Sequence, residues 1–313
     1  MTSAALEALA DYAAAQGSTG LVVAHGGATL LERCWTLTPG REAFAAAFSH
    51  GTTADGAPRE DVASQQKSLI GLLATQAEDR GLLDTARPAS DILGRGWTLA
   101  PAKGAVTVRH LLEMNSGLTE ALDVEAAPGE RFFYNTPAYA RLQSVLEAVT
   151  GQPLATLVRE WVADPLSMAD TEWARRPADL AGSSGNAWGL VTTAGDLAKL
   201  GAMLLGGGLA PDGRRMVSES GLKAMLTPTS TNPAYGRLWW LNGGAWAVDA
   251  VGARKEGPLV PDGPADLVLA LGAHGRVLGV VPSKSLVVAR IGPQPTDPEF
   301  RNRLWALVMA AVG

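Results

Sequence analysis

The stretch running from Asp61 through Ser64, Lys67 and Leu73 to Gly81 constrains this chain more than any other. It reads as a helix that begins near Ser64, a residue suited to a helix N-terminus, and stops near Gly81, suited to the left-handed position after a helix. Leu69, Leu72, Leu73 and Ala77 recur at helical spacing, which predicts one buried face. Ser64 and Lys67 are three residues apart and so share a face, one turn from the N-terminus. The partial positive charge of the helix start favours an alkoxide and disfavours an ammonium. Those are the conditions in which a weak hydroxyl nucleophile works at neutral pH. The pattern S-x-x-K is short, however, and recurs at Ser220-Gly-Leu-Lys223. Lys223 falls in the second half of a short amphipathic helix expected over 218–226, which makes the second copy a structural one. Spacing alone does not choose between them.

The bulk of the chain narrows the classes. With 313 residues it can bury a large core, as one big domain or two intertwined ones. The net charge of −5 comes without a basic run, which excludes nucleic acid and anionic membrane as natural partners. No apolar run is long enough to span a bilayer. The first eleven residues carry two acids and no basic cluster, so they do not read as a secretory signal, and a cytoplasmic location is expected. Cys34 is the single cysteine, which rules out an internal disulfide and argues against structural zinc.

Taken in order, residues 3–16 form an alanine-rich helix. Gly20–His25 and Ala28–Arg33, joined by Gly26-Gly27, form a hairpin with a two-residue turn. Residues 36–60 read as irregular, and 52–58 as a loop. A helix is expected from Thr107 to Gly117. Another starts with Thr136 as N-cap and Pro137 at the first helical position, and ends at Gly151. That places Tyr134 in a loop just before a helix, a rigid position that can face a cleft. Helices follow over about 153–163 and 193–206. From Tyr235 onward the period shifts to that of strands: 237–241, 245–248, 267–271, 277–281 and 285–290, interrupted by a loop over 256–264. An amphipathic helix over 298–312 closes the chain. Strands at both ends and helices between them predict an α+β fold, one antiparallel sheet from both termini with an inserted, mostly helical lobe.

Several stretches in this order resemble the serine β-lactamase and penicillin-binding-protein superfamily, in its class C-like esterase, D-aminopeptidase and 6-aminohexanoate-dimer-hydrolase branch. They are the Ser64 helix, 106–118, 165–171, 189–197 and 235–240, and the likeness runs from Gly20 to Gly292. S-x-x-K is a recognised signature of such enzymes. The resemblance implies a β-lactamase/transpeptidase-like fold: a sheet domain of residues 1–65 plus 227–313, a helical domain of 66–226, and the active site between them. It implies Ser64 as nucleophile with Lys67 and Tyr134 as its proton-transfer partners. The second family motif, tyrosine-x-asparagine, falls on Tyr134-Asn135-Thr136, with threonine at the usual asparagine position. The third, a basic or polar residue followed by x-Gly on a strand, falls on Ala273-His274-Gly275, with alanine at the customary polar position. Arg276 then follows, and its backbone N–H would join that of Ser64 in an oxyanion hole.

These matches imply Asn135, Thr136, Ala273, His274, Gly275 and Trp240 as substrate contacts. Trp239, Trp240 and the 243–266 loop would wall an apolar acyl pocket. Three functions compete. The first is a serine esterase or amidase acting on small esters or linear amides, without metal or organic cofactor, as a monomer or homodimer. The second is a β-lactamase or D,D-peptidase, against which the cytoplasmic expectation and Ala273 both argue. The third is a binding protein that keeps the fold with an impaired site. Arg254 and Lys255 read as solvated loop residues.

Overall fold

The structure, a computed structural model, describes residues 3–94, 97 and 101–313. Its centre is a six-stranded antiparallel sheet of order β2-β1-β12-β11-β10-β7. The strands are β1 (Gly20–His25), β2 (Ala28–Cys34), β7 (Trp240–Leu241), β10 (Val268–Gly272), β11 (Arg276–Val281) and β12 (Leu286–Ile291). The first hairpin turns through Gly26 and Gly27 at φ 58° and 83°, the left-handed pair that a two-residue turn requires. Every residue of β11 and β12 is buried, because helices cover both faces of the sheet. On one face lies α9 (Ala194–Leu205), where a Cβ on Gly201 would stand 2.5 Å from Val287 Cγ1. On the other, α1 (Ser3–Ala15) and α11 (Phe300–Val312) pack together, and Trp305 of α11 fills the space over Gly279. Both termini thus build one layered unit. It is the α+β, β-lactamase/transpeptidase-like arrangement the sequence pattern and resemblance imply.

A second sheet departs from expectation. Residues 36–60 are not irregular: they hold α2 (Glu42–Phe48), β3 (Ser49–Thr52) and β4 (Pro58–Asp61). These strands join β6 (Trp188–Thr192) and β5 (Glu172–Arg175) in the order β3-β4-β6-β5. The register Glu60↔Thr192 and Asp61↔Val191 ties the segment before Ser64 to the middle of the chain. Pairing therefore crosses the expected boundary at residue 65. A short hairpin of β8 (Trp246–Val248) and β9 (Arg254–Glu256) stands apart.

The remaining helices are α3 (Gln65–Asp79), α4 (Ser90–Leu93), α5 (Val108–Leu112), α6 (Thr136–Thr150), α7 (Leu154–Leu157), α8 (Ala178–Ser184) and α10 (Glu219–Met225). Thr107 caps α5 through its side chain, as expected, but the helix ends at Leu112 because Met114 turns to φ 55°. The helix over 153–163 is a short α-turn that widens into a π-helical one over Val158–Ala163. The strand expected over 237–241 shrinks to two residues, since Leu238 sits at φ 63° and gives its N–H to the Leu112 carbonyl.

Candidate active site

Helix α3 is buried on all sides, not on one face. Between Asp61 and Ala77 every residue is buried except Ser64. The leucine stripe accounts for only part of the burial; polar residues supply the rest by finding partners. Ser68 Oγ donates to the Leu238 carbonyl at 2.7 Å, and Gln76 Nε2 donates to the carbonyls of Trp161 and Met216 at 3.1 and 3.2 Å. Gln65 Nε2 donates to the Ala270 carbonyl at 3.3 Å. Buried polar groups are tolerated when bonded in this way. Ser64 stands at the N-cap with αR backbone, φ −68° and ψ −8°, and its hydroxyl caps nothing. The residue chosen as a good cap is thus free for chemistry. Gly81, at φ 68°, ends the helix as expected.

Three expected residues meet at this point. Lys67 Nζ lies 2.9 Å from Ser64 Oγ, and the Ser64 hydroxyl faces the Tyr134 side chain. The Lys67 amine sits against two aromatic rings, 4.8 Å from the Tyr134 centroid and 4.9 Å from that of Tyr139. Burial, aided by the positive charge of Arg176, pulls Lys67 down to about 7. Desolvation disfavours its charged form, so near neutrality the amine is available as a base. Tyr134 moves the other way: burial pushes it up to about 12, against the opposing hydrogen bond from Ser64. The phenol therefore rests protonated. Trp240 is buried and stacks on the Tyr134 ring, centroids 5.6 Å apart at 25°, while Tyr235 meets Tyr134 edge-on at 6.3 Å. Trp240 backs the tyrosine. Trp239 is core, with no exposure.

The other expected residues lie elsewhere. Asn135, not Thr136, is the N-cap of α6: its Oδ1 accepts the Ala138 N–H at 2.9 Å, and Nδ2 donates to the Leu118 and Thr119 carbonyls, each at 2.8 Å. Its amide is thereby committed to holding the loop that presents Tyr134. Thr136 is the first helical residue and half-buried. Ala273, His274 and Gly275 are not on a strand but form the turn between β10 and β11, with His274 and Gly275 at φ 64° and 68°. The His274 ring packs edge-on to Phe44 and Phe48 at 5.8 and 5.0 Å. Burial, with Arg276, Arg290 and Arg41 nearby, lowers it to about 4, which keeps it neutral.

Arg276 lies on β11, an interior strand paired to β10 and β12, and its fully buried guanidinium bonds Glu60 and the Ala273 carbonyl. The strand residue that meets the Ser64 segment is Gly272, where a Cβ would stand 2.4 Å from the Val62 carbonyl oxygen. Arg254 and Lys255 are exposed on β9; Arg254 pairs with Glu256 and covers Trp246, and Lys255 pairs with Asp249. Ser220 and Lys223 are exposed on α10.

Sequence reasoning missed the support beneath Ser64. Asp61, the last residue of β4, and Arg176, just past β5, form a buried ion pair 115 positions apart in the chain. Ala63 adopts φ 51°, which only geometry reveals, since alanine gives no sign of a left-handed turn. Among the described residues no helix is long and apolar enough to cross a membrane, and no His, Cys, Asp and Glu group is arranged to hold a metal ion.

A profile described as Beta-lactamase matches residues 6–312. The chain belongs to this family. Beta-lactamase-like 1, a human protein, is 31% identical over 212 residues, 59% of this chain and 39% of that protein's length. The chain thus spans well under half of that relative. Among solved structures, a 6-aminohexanoate-dimer hydrolase homologue from Bacillus anthracis superimposes with a TM-score of 0.71 at 17% identity, covering 98% of this chain and 80% of that one. EstCE1, described as a hydrolase with promiscuous acyltransferase activity, gives 0.68 at 18% identity over 99% and 97% of the two chains. At such identities these structures speak for the fold of this Beta-lactamase-family chain and not for its substrate.

Proposed function

We propose that this Beta-lactamase-family chain is a serine hydrolase of small, uncharged esters or linear amides, working through an acyl-enzyme on Ser64. The observation that carries this reading is the half-buried Ser64 at the start of an otherwise buried helix, 2.9 Å from a lysine amine that burial and Arg176 bring down to about 7. Neutral Lys67 takes the Ser64 proton as Oγ attacks the carbonyl carbon. The oxyanion that forms is held by backbone N–H groups, the Ser64 N–H and the edge of β10 beside Gly272, since Arg276 belongs to the strand beyond. Such donors are usually the largest contribution to acyl transfer. Tyr134, protonated at rest, passes its proton to the departing alcohol or amine and regains one from the Lys67 ammonium. Water then attacks the ester on Ser64, giving a proton to Lys67; that proton returns to Ser64 Oγ as the acid leaves. A base near 7 beside an acid near 12 supports this division of roles.

Uncharged substrates are favoured because the stretch of β10 that meets the Ser64 segment, Ala270 to Gly272, carries no charged side chain. Comparing p-nitrophenyl butyrate with nitrocefin tests the reading. Ester turnover well above nitrocefin turnover, lost in Ser64→Ala, supports it; the reverse preference, or ester turnover that survives Ser64→Ala, overturns it.

A further inference from the structure

The buried ion pair beneath the nucleophile is bonded to the turn that precedes Ser64. The Asp61 carboxylate accepts three hydrogen bonds: from the Ala63 N–H at 2.8 Å, from Arg176 Nε at 2.7 Å and from Arg176 Nη2 at 2.9 Å. The first closes a side-chain turn over residues 61–63, and Ala63 within it is held at φ 51°. A non-glycine residue there is strained and persists only where its surroundings impose it. The next residue is Ser64. The fork from Arg176 fixes the carboxylate in its plane, so the guanidinium acts on the turn through Asp61. Arg176 Nη2 also approaches Gln66 Oε1 at 3.5 Å, and the same oxygen accepts the Leu190 N–H at 3.2 Å.

The neighbouring strand has made room. A Cβ on Gly189 of β6 would fall 2.0 Å from Asp61 Oδ2 and 2.9 Å from Arg176 Nε. Glycine is therefore required there for the pair to exist.

We propose that the Asp61–Arg176 pair is a positioning device for Ser64 and Lys67, clamping the turn that presents the hydroxyl and setting a fixed positive charge in range of the lysine amine. This rests on the hydrolase reading above. Groups facing Lys67 come from several elements. Tyr134 and Tyr139 lie against the amine from the loop before α6 and from α6 itself. Tyr235 stands behind Tyr134, Arg176 and its partner Asp61 come from the second sheet, and the Glu60–Arg276 pair lies beyond. The Arg176 guanidinium lowers the affinity of Lys67 for a proton, and the Asp61 carboxylate bonded to it works against that effect.

The test reads Lys67 directly, by 13Cε NMR titration of lysine-labelled protein, with the signal assigned by its loss in Lys67→Met. Asp61→Asn keeps the Oδ1 acceptor for Ala63 and Arg176 Nη2, gives up the bond from Arg176 Nε and removes the compensating charge; Lys67 should then titrate about half a unit lower. In Asp61→Asn/Arg176→Gln both charges are gone, and the titration should move above that of the native protein, again by about half a unit. Opposite signs in these two variants are not what a merely structural pair gives. Lys67 titrating as in the native protein in folded Asp61→Asn overturns the proposal, and that variant decides the matter if the double one does not fold. Turnover is measured alongside. Shifted titration without native turnover would sink the hydrolase reading and keep the pair; turnover with an unmoved titration would do the opposite.

Discussion

Two copies of one four-residue pattern sit on two helices of this molecule, and only their surroundings separate them. Ser220 and Lys223 lie in the open on α10, where the hydroxyl faces Ser218 Oγ at 3.1 Å and the amine is in water. Ser64 and Lys67 open α3, where the amine is enclosed by Tyr134, Tyr139 and the Arg176 charge, and the serine alone reaches solvent. Identical spacing puts both pairs on one helical face. On the reading proposed above, desolvation is what separates them, because it turns the Lys67 ammonium into a base. A signature of this kind is read by asking what buries its lysine.

The comparison can be broken in four ways, from the largest expected effect down. Ser64→Ala should cost about 10³-fold or more in kcat for p-nitrophenyl butyrate, as losing a nucleophile does, while Ser220→Ala changes it by less than about twofold.

Lys67→Met should cost about as much activity and yet stabilise the fold. The unfolded lysine keeps its proton to about 10.5, while the folded one releases it near 7. Between those values the unfolded state holds the extra proton, so this group makes stability rise with pH, and its cost is greatest below 7. Removing it should add on the order of 2–4 kcal/mol at pH 7 and flatten that slope. Urea melts at pH 6, 7 and 9 check this, with Lys223→Met as the silent control.

Tyr134→Phe should lower kcat about 10²-fold with little change in KM, since it removes a proton donor and leaves the stack on Trp240. Smallest is Asn135→Ala, which removes the α6 cap and should cost about 1–2 kcal/mol of stability in a thermal melt, with a lesser loss of activity through the Tyr134 loop.

Local chemistry was legible in the sequence and distant pairing was not. The Gly26-Gly27 turn, the ends of α3 at Ser64 and Gly81, and the left-handed Gly151 after α6 each follow from one or two residues. The second sheet was hidden because β3, β4, β5 and β6 are only four or five residues long and its two local pairs join through β4 and β6 across more than a hundred positions. Such strands carry too few alternations to show a period. The same distance hid Asp61 and Arg176. Residues 273–275 taught the opposite lesson: a His-Gly step between two apolar runs is a turn signal, and it was there to be read ahead of any motif. Ser64 and Lys67 were found by spacing, but their burial, and Tyr134's approach to them, needed the fold.

The central claim is that burial of Lys67 activates Ser64, and labelling with a fluorophosphonate probe, followed by intact-mass spectrometry across pH, tests it most directly. The account predicts a single adduct on the native protein, none on Ser64→Ala, and an unchanged adduct on Ser220→Ala. The labelling rate should fall tenfold per unit below a midpoint near 7, where Lys67 takes up its proton. Folded native protein that gains no adduct, or an adduct that persists in Ser64→Ala, would contradict it.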